Sequence, residues 1–167
     1  MAPLKVATKR AKGCLPAQGR RERGQALVEF ALVLPLLMLI IFIFVEFGLG
    51  FARYNEVVNG AREGARLGSV GASPDEIKAR VVEKVPSASL ALSDVSVFYP
   101  DNDGNGTADP GDSVVVKVSF TYDTVTPLAS FASTFTLGAF PTSITMTACA
   151  DMRLEKAVPE AVGGNGC

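Results

Sequence analysis

Phe30-Ala31-Leu32-Val33-Leu34-Pro35-Leu36-Leu37-Met38-Leu39-Ile40-Ile41-Phe42-Ile43-Phe44-Val45 runs without one charge or hydrogen-bonding side chain. Continued to Ala52, the stretch is interrupted only by Glu46. As a helix, residues 30–52 would cover about 34 Å at ~1.5 Å per residue, against a hydrocarbon core of roughly 30 Å. A buried helix of a soluble protein would need a core able to cover every face of this segment. The rest of the chain is too short and too polar to supply one. The segment therefore reads as a transmembrane helix, in which the kink expected at Pro35 is tolerable because neighbouring subunits or water can satisfy the freed backbone. Glu46 reads as interfacial, facing the outer headgroups.

On its N-terminal side the run abuts a basic arm. Residues 1–24 carry Lys5, Lys9, Arg10, Lys12, Arg20, Arg21 and Arg23 against Glu22, a balance of +6, while the remainder carries −7. A basic tail can serve nucleic acid, but one placed directly before an apolar helix is explained by the positive-inside rule. The reading is a cytoplasmic N-terminus, a single pass, an extracytoplasmic C-terminal part and no nucleic-acid partner. The arm mixes its charges with Pro3, Gly13, Pro16 and Gly19 and shows no apolar period, so residues 1–23 are expected to be irregular or removed.

On the other side the helix should continue past the bilayer. Val57, Val58, Ala61, Ala65 and Leu67 keep helical spacing, and Gly60 and Gly64 leave a small-residue face for close helix packing, until Gly68 and Gly71 end it. A second helix is announced by Ser73-Pro74-Asp75-Glu76, a cap, a first-turn proline and a capping-box glutamate. Ile77, Val81 and Val85 form its apolar face and Pro86 stops it. The period then switches to two. Val114, Val116, Val118, Phe120 and Tyr122 face one way and Val115, Lys117, Ser119 and Thr121 the other. Ile144, Met146, Ala148 and Met152 oppose Thr145, Thr147, Asp151 and Arg153. Val95, Val97 and Tyr99 mark a third strand, and Thr124 to Pro141 carries no assignable pattern. The expected fold class is α+β, a long N-terminal helix followed by a small domain of a helix packed on a short antiparallel sheet. Its parts are a leader over 1–24, the membrane helix over 25–52, an extension over 53–71, the domain over 72–157 and a flexible tail over 158–167.

The chain has no histidine, which removes Ser–His and Cys–His nucleophile pairs and the commonest metal ligand. No phosphate loop or nucleophile elbow occurs, and the reading is not an enzyme. Cys14, Cys149 and Cys167 form no CxxC, so thiolate zinc and thioredoxin-like chemistry are also excluded. Cys14 would be cytoplasmic. Cys149 and Cys167 would face an oxidising space, where a disulfide closing the tail and two free thiols both stand as readings.

Asp101-Asn102-Asp103-Gly104-Asn105-Gly106-Thr107-Ala108-Asp109-Pro110-Gly111-Asp112 can be counted as a calcium loop. Asp101, Asp103, Asn105, Asp109 and Asp112 then fall at positions one, three, five, nine and twelve, with Gly106 at six and Thr107 offering its carbonyl. Asp112 stands where the EF-hand has a bidentate glutamate, and strands rather than helices flank the segment. The alternative is a plain Asp/Asn/Gly hairpin loop, built from residues that turns require. Calcium is the only cofactor the sequence raises.

Between arm and helix lies Arg23-Gly24-Gln25-Ala26-Leu27-Val28-Glu29-Phe30. A glycine, four residues, a glutamate, an aromatic and an apolar run resemble the processing site of type IV pilins. The wording GQALVEFALVLPLL, with AREGAR further on, is similar to the TadE-like family of the tight-adherence (Tad) pilus. The likeness is good over residues 21–70 and weaker at GDSVVVKVSFTY and Met152-Arg153. It implies a pilin-like minor subunit of such a pilus or a related secretion system, cut by a prepilin peptidase between Gly24 and Gln25. Implied partners are that peptidase, other pilin-like subunits, the assembly platform and membrane lipid, in the bacterial inner membrane or the pilus itself. Gln25 stands where type IV pilins usually have an aromatic.

Physical chemistry gives Glu29 a matching role. A carboxylate at the start of a membrane helix needs a partner, and cleavage would expose a positive α-amine four residues upstream. Pairing within or between subunits would then set helix register, with Phe30 beginning the packed surface. A headgroup position, favoured by the helix dipole, is the plainer alternative. The competing class is a secreted or anchored calcium-dependent binding module, with residues 1–50 as signal peptide or anchor. Gly48-Leu49-Gly50 offers small residues for a signal peptidase, but the apolar run exceeds the usual h-region of about 7–15 residues.

Overall fold

The computed structural model describes residues 19–127, 143–164 and 167. Most of the basic arm, Cys14 and most of the unassigned Phe/Thr/Ser segment lie outside the described residues. The chain divides into two compact units, 1–39 and 40–167.

The first helix, α1, is Gly19–Ser69. It begins inside the stretch expected to be irregular, because Arg20, Arg21, Glu22 and Arg23 are adequate helix formers next to an apolar helix. Pro35 sits within it. The helix ends in a Schellman turn: Ala72 N–H donates to Leu67 O at 3.3 Å and Gly71 N–H to Gly68 O at 2.9 Å. Gly71 takes φ +91°, which a side-chain-bearing residue would resist.

The second helix, α2, is Pro74–Lys84. Its capping box forms as the sequence requires: Ser73 Oγ accepts from Glu76 N–H, and Glu76 Oε2 accepts from Ser73 N–H at 3.0 Å. The Ser73 backbone and side-chain hydrogen bonds hold the Glu76 carboxyl below its ordinary range.

Three antiparallel strands follow in spatial order β1-β2-β3: β1 is Val95–Phe98, β2 Ser113–Asp123 and β3 Ser143–Arg153. Val116 pairs with Val97 on one side and Ala150 on the other, and Val118 with Val95 and Ala148. The alternation along β2 is realised, with Val114, Val116, Val118, Phe120 and Tyr122 buried and Lys117, Ser119 and Thr121 exposed. Val115 breaks it, being buried on the outer face. Its strand partner Phe98 lies beside the C-terminal segment. Gly163 N–H donates to Tyr99 O at 2.8 Å, and a Cβ at Gly164 would come within 2.7 Å of the Phe98 ring. The stretch expected as a flexible tail is thus tied to the sheet, and Val158 is buried with its N–H on Ala108 O.

The core forms where the end of α1 meets α2 and the inner face of the sheet. Val57, Ala61 and Ala65 of α1 are fully buried with Ile77 and Val81 of α2 and with Val85, the residue that caps it. The glycines on α1 decide how close the two helices come. A Cβ at Gly60 would collide with Val85, one at Gly64 would lie 2.5 Å from Val81 Cγ2, and one at Gly68 would lie 2.8 Å from Val114 Cγ2 and 3.0 Å from Ile77 Cδ1. Glycines four residues apart therefore receive valine and isoleucine side chains of the antiparallel helix and its cap, ridge into groove. The small-residue face anticipated from the sequence is spent inside the chain. The fold is α+β, and among the described residues one helix, Gly24–Ser69, is long and apolar enough to cross a membrane.

Candidate functional site

From Gly24 to Glu56 no residue of α1 is buried; Val57 is the first. Leu32, Phe44 and Phe47 are each more than 70 % exposed, in a segment with almost no charge. Among the described residues, none buries a side chain of this stretch. It suits contact with lipid or with the helices of other subunits.

At its start, Gly24 and Gln25 lie within the helix, and a Cβ at Gly24 would meet nothing within 4 Å. Gln25 Nε2 donates to Glu29 Oε1 at 3.2 Å, and Phe30 beside it is exposed. In the uncut chain the side chain of Gln25 therefore reaches the carboxylate that cleavage would offer an amine.

Glu46 departs from the interfacial role expected of it. Its carboxylate faces the chain's own folded body, accepting from Tyr122 Oη at 2.7 Å, Val125 N–H at 3.0 Å, Thr126 N–H at 2.8 Å and Thr126 Oγ1 at 2.6 Å. Four donors from the end of β2 and the residues after it clamp α1 at this point. Burial, followed by the bond to Glu46, pushes the Tyr122 phenol up to about 12. A charge inside an apolar run was the available signal. Its partners lie 76 to 80 residues away, and nothing local names them.

The acidic loop joins β1 to β2. Asp101, Asp103 and Asp112 bring one carboxylate oxygen each to within 4.8 Å of one another. Asp101 Oδ1 accepts from Gly104 N–H at 2.6 Å and Oδ2 from Gly106 N–H at 2.9 Å. The Gly106 bond, opposed by burial and helped by Gly104, holds the Asp101 carboxyl below its ordinary range. Gly106 takes φ +80°, the sharp turn its place in the loop demands. Asp112 is 1 % exposed and accepts from Asn102 N–H at 2.7 Å and Asp109 N–H at 3.1 Å, closing the loop.

The other three residues group differently. Asn105 Nδ2 donates to both Asp103 and Asp109 at 2.9 Å. Asn105 Oδ1 accepts from Thr107 N–H at 2.7 Å and Thr107 Oγ1 at 2.5 Å. Asn105, Thr107 and Asp109 thus bond among themselves rather than presenting a complete shell around the carboxylates. Opposed oxygens of a calcium ion stand about 4.6–5.2 Å apart at the usual ligand distances, so the aspartate trio fits one side of such a shell.

Cys149 and Cys167 are joined by a disulfide, with Cα atoms 5.8 Å apart. It fastens the end of the chain to the outer face of β3, opposite Lys117 of β2.

By length and composition, the helix Gly24–Ser69 could cross a membrane. Residues 24–66 match the family model described as TadE-like protein, the family the sequence resembles. No curated protein and no solved structure gives a match.

Proposed function

We propose that this protein is a non-catalytic, pilin-like minor subunit of a tight-adherence type pilus or related secretion system. It inserts in the bacterial inner membrane with the N-terminus cytoplasmic, is cut after Gly24 by a prepilin peptidase, and assembles through its apolar helix. The supporting observation is that the TadE-like match begins at Gly24 and runs along a helix whose apolar side chains are uncovered until Val57. Assembly with other pilin-like subunits or the assembly platform would bury what the chain itself leaves bare. After cleavage, the new α-amine of Gln25 replaces its side chain as the partner of Glu29, neutralising both charges in apolar surroundings. Mass spectrometry of the protein from its native envelope tests this. A mature chain beginning at Gln25 is the expected result. A chain still carrying Lys5 to Lys12, or one beginning at Phe51 as a secreted module would, overturns it.

The convergence of Asp101, Asp103 and Asp112 favours a second property, calcium held in the β1–β2 loop. The three like charges repel, and a divalent cation removes that repulsion. With aspartate at the last position and half the loop engaged elsewhere, the affinity belongs to the weak, extracellular range of about 10⁻⁴–10⁻³ M. Calorimetric titration of the full chain in detergent should show binding that is abolished in Asp101→Asn/Asp103→Asn. Absence of heat at millimolar calcium ends the idea.

A further inference from the structure

Between α1 and the sheet lies an open groove of about 590 Å³. Ile43, Phe47 and Phe51 form one wall and Tyr122, Ile144 and Met146 the other. Gly50 lies on its floor, where a Cβ would stand 3.6 Å from the Tyr122 ring, in ordinary contact. From Ile43 to Tyr54 the groove follows about 16 Å of helix. Glu46, its one charged lining group among the described residues, is engaged by Tyr122, Val125 and Thr126. Beyond Tyr122 a smaller pocket of about 200 Å³ is lined by Arg53, Ser87, Ser89 and Asp123. Among the described residues Arg53 makes no salt bridge.

We infer that the groove and the pocket together seat one zwitterionic phospholipid, its acyl chain along Phe47 and Met146 and its headgroup at Arg53 and Asp123. This rests on the membrane reading above. The order of surfaces is that of an amphiphile: exposed apolar side chains from Ile40, an apolar groove beside them, then a pocket whose lining holds both a cation and an anion. A phosphate meets the guanidinium in paired hydrogen bonds, and an ammonium meets the carboxylate. A partner helix would fill the apolar groove but has no need of both Arg53 and Asp123 in the pocket beyond it. Seated in this way, the lipid sets the height of the folded body on the bilayer surface.

The chain contains no tryptophan, so single reporters can be introduced without background. Ile144→Trp places one at the half-exposed groove wall, Tyr54→Trp provides a second on the helix side, and Leu37→Trp marks the apolar run. The full chain is reconstituted at high lipid-to-protein ratio in phosphatidylethanolamine-containing vesicles whose acyl chains carry bromine near the headgroup or near the chain end. Leu37→Trp should be quenched most by the deep bromines. The groove reporters should lose most of their fluorescence to the shallow ones, and Arg53→Glu should restore it at the groove while leaving Leu37→Trp unchanged. Quenching at Leu37→Trp with neither groove reporter quenched overturns the lipid seat and leaves the membrane helix standing. Quenching at no position overturns both. Groove quenching indifferent to Arg53→Glu overturns the headgroup assignment.

Discussion

Glu29 and Glu46 stand on the same helix, each beside apolar side chains, and meet opposite fates. Glu29 has Gln25 as its hydrogen-bond partner, and its apolar neighbours are bare. Glu46 receives four hydrogen bonds from a loop folded back across it. The glycines repeat the contrast. Gly48 has nothing within 4 Å of its Cβ position, whereas Gly60, Gly64 and Gly68 are filled by side chains of α2, its cap and β2. A polar or small residue in an apolar helix leaves something to be completed. In residues 57–69 and at Glu46 the chain completes it itself; along residues 24–45, beyond the Gln25–Glu29 bond, no described residue buries the helix.

The contrast can be broken most forcefully at the glycines. Gly64→Val drives methyl groups into Val81 and should cost about 3 kcal/mol or more of stability, read by thermal unfolding of the full chain in detergent. Equal losses at Gly64 and in the exposed half of α1 would erase the distinction. A middle-sized effect is expected at Glu46. Glu46→Ala strips the partner from Tyr122 Oη and Thr126 and should cost about 1–2 kcal/mol, discounted for a half-exposed site. Glu29→Ala should leave unfolding unchanged while impairing assembly into pilus fractions. The smallest effect sharpens the comparison further: Gly48→Val, in open space, should move stability by less than about 1 kcal/mol.

Local features were read well from sequence because their causes are local. The Ser73–Glu76 capping box spans one turn, and the two-residue period of β2 follows from the pleat itself. The acidic loop was equally visible as a run of turn-forming, oxygen-bearing residues. The convergence of Asp101, Asp103 and Asp112, with Asn105 spending its amide on Asp103 and Asp109, was not, because side-chain direction in a loop depends on each φ along it. The burial of Val115 escaped for a different reason. Strand alternation cannot reveal that the chain's own end, fastened at Cys149, lies beside its strand partner Phe98.

The order of the residues by themselves determined that one helix is apolar on all sides, that a short helix and strands follow it, and where the charges change sign. These are properties of composition and period, which act over a few residues. Only the tertiary structure decided which portion of α1 is covered, that its glycines admit Val81 and Val85, and that Glu46 belongs to the folded body. Those outcomes depend on contacts between segments distant in the chain, where shape and hydrogen-bond direction select among partners that look alike in sequence.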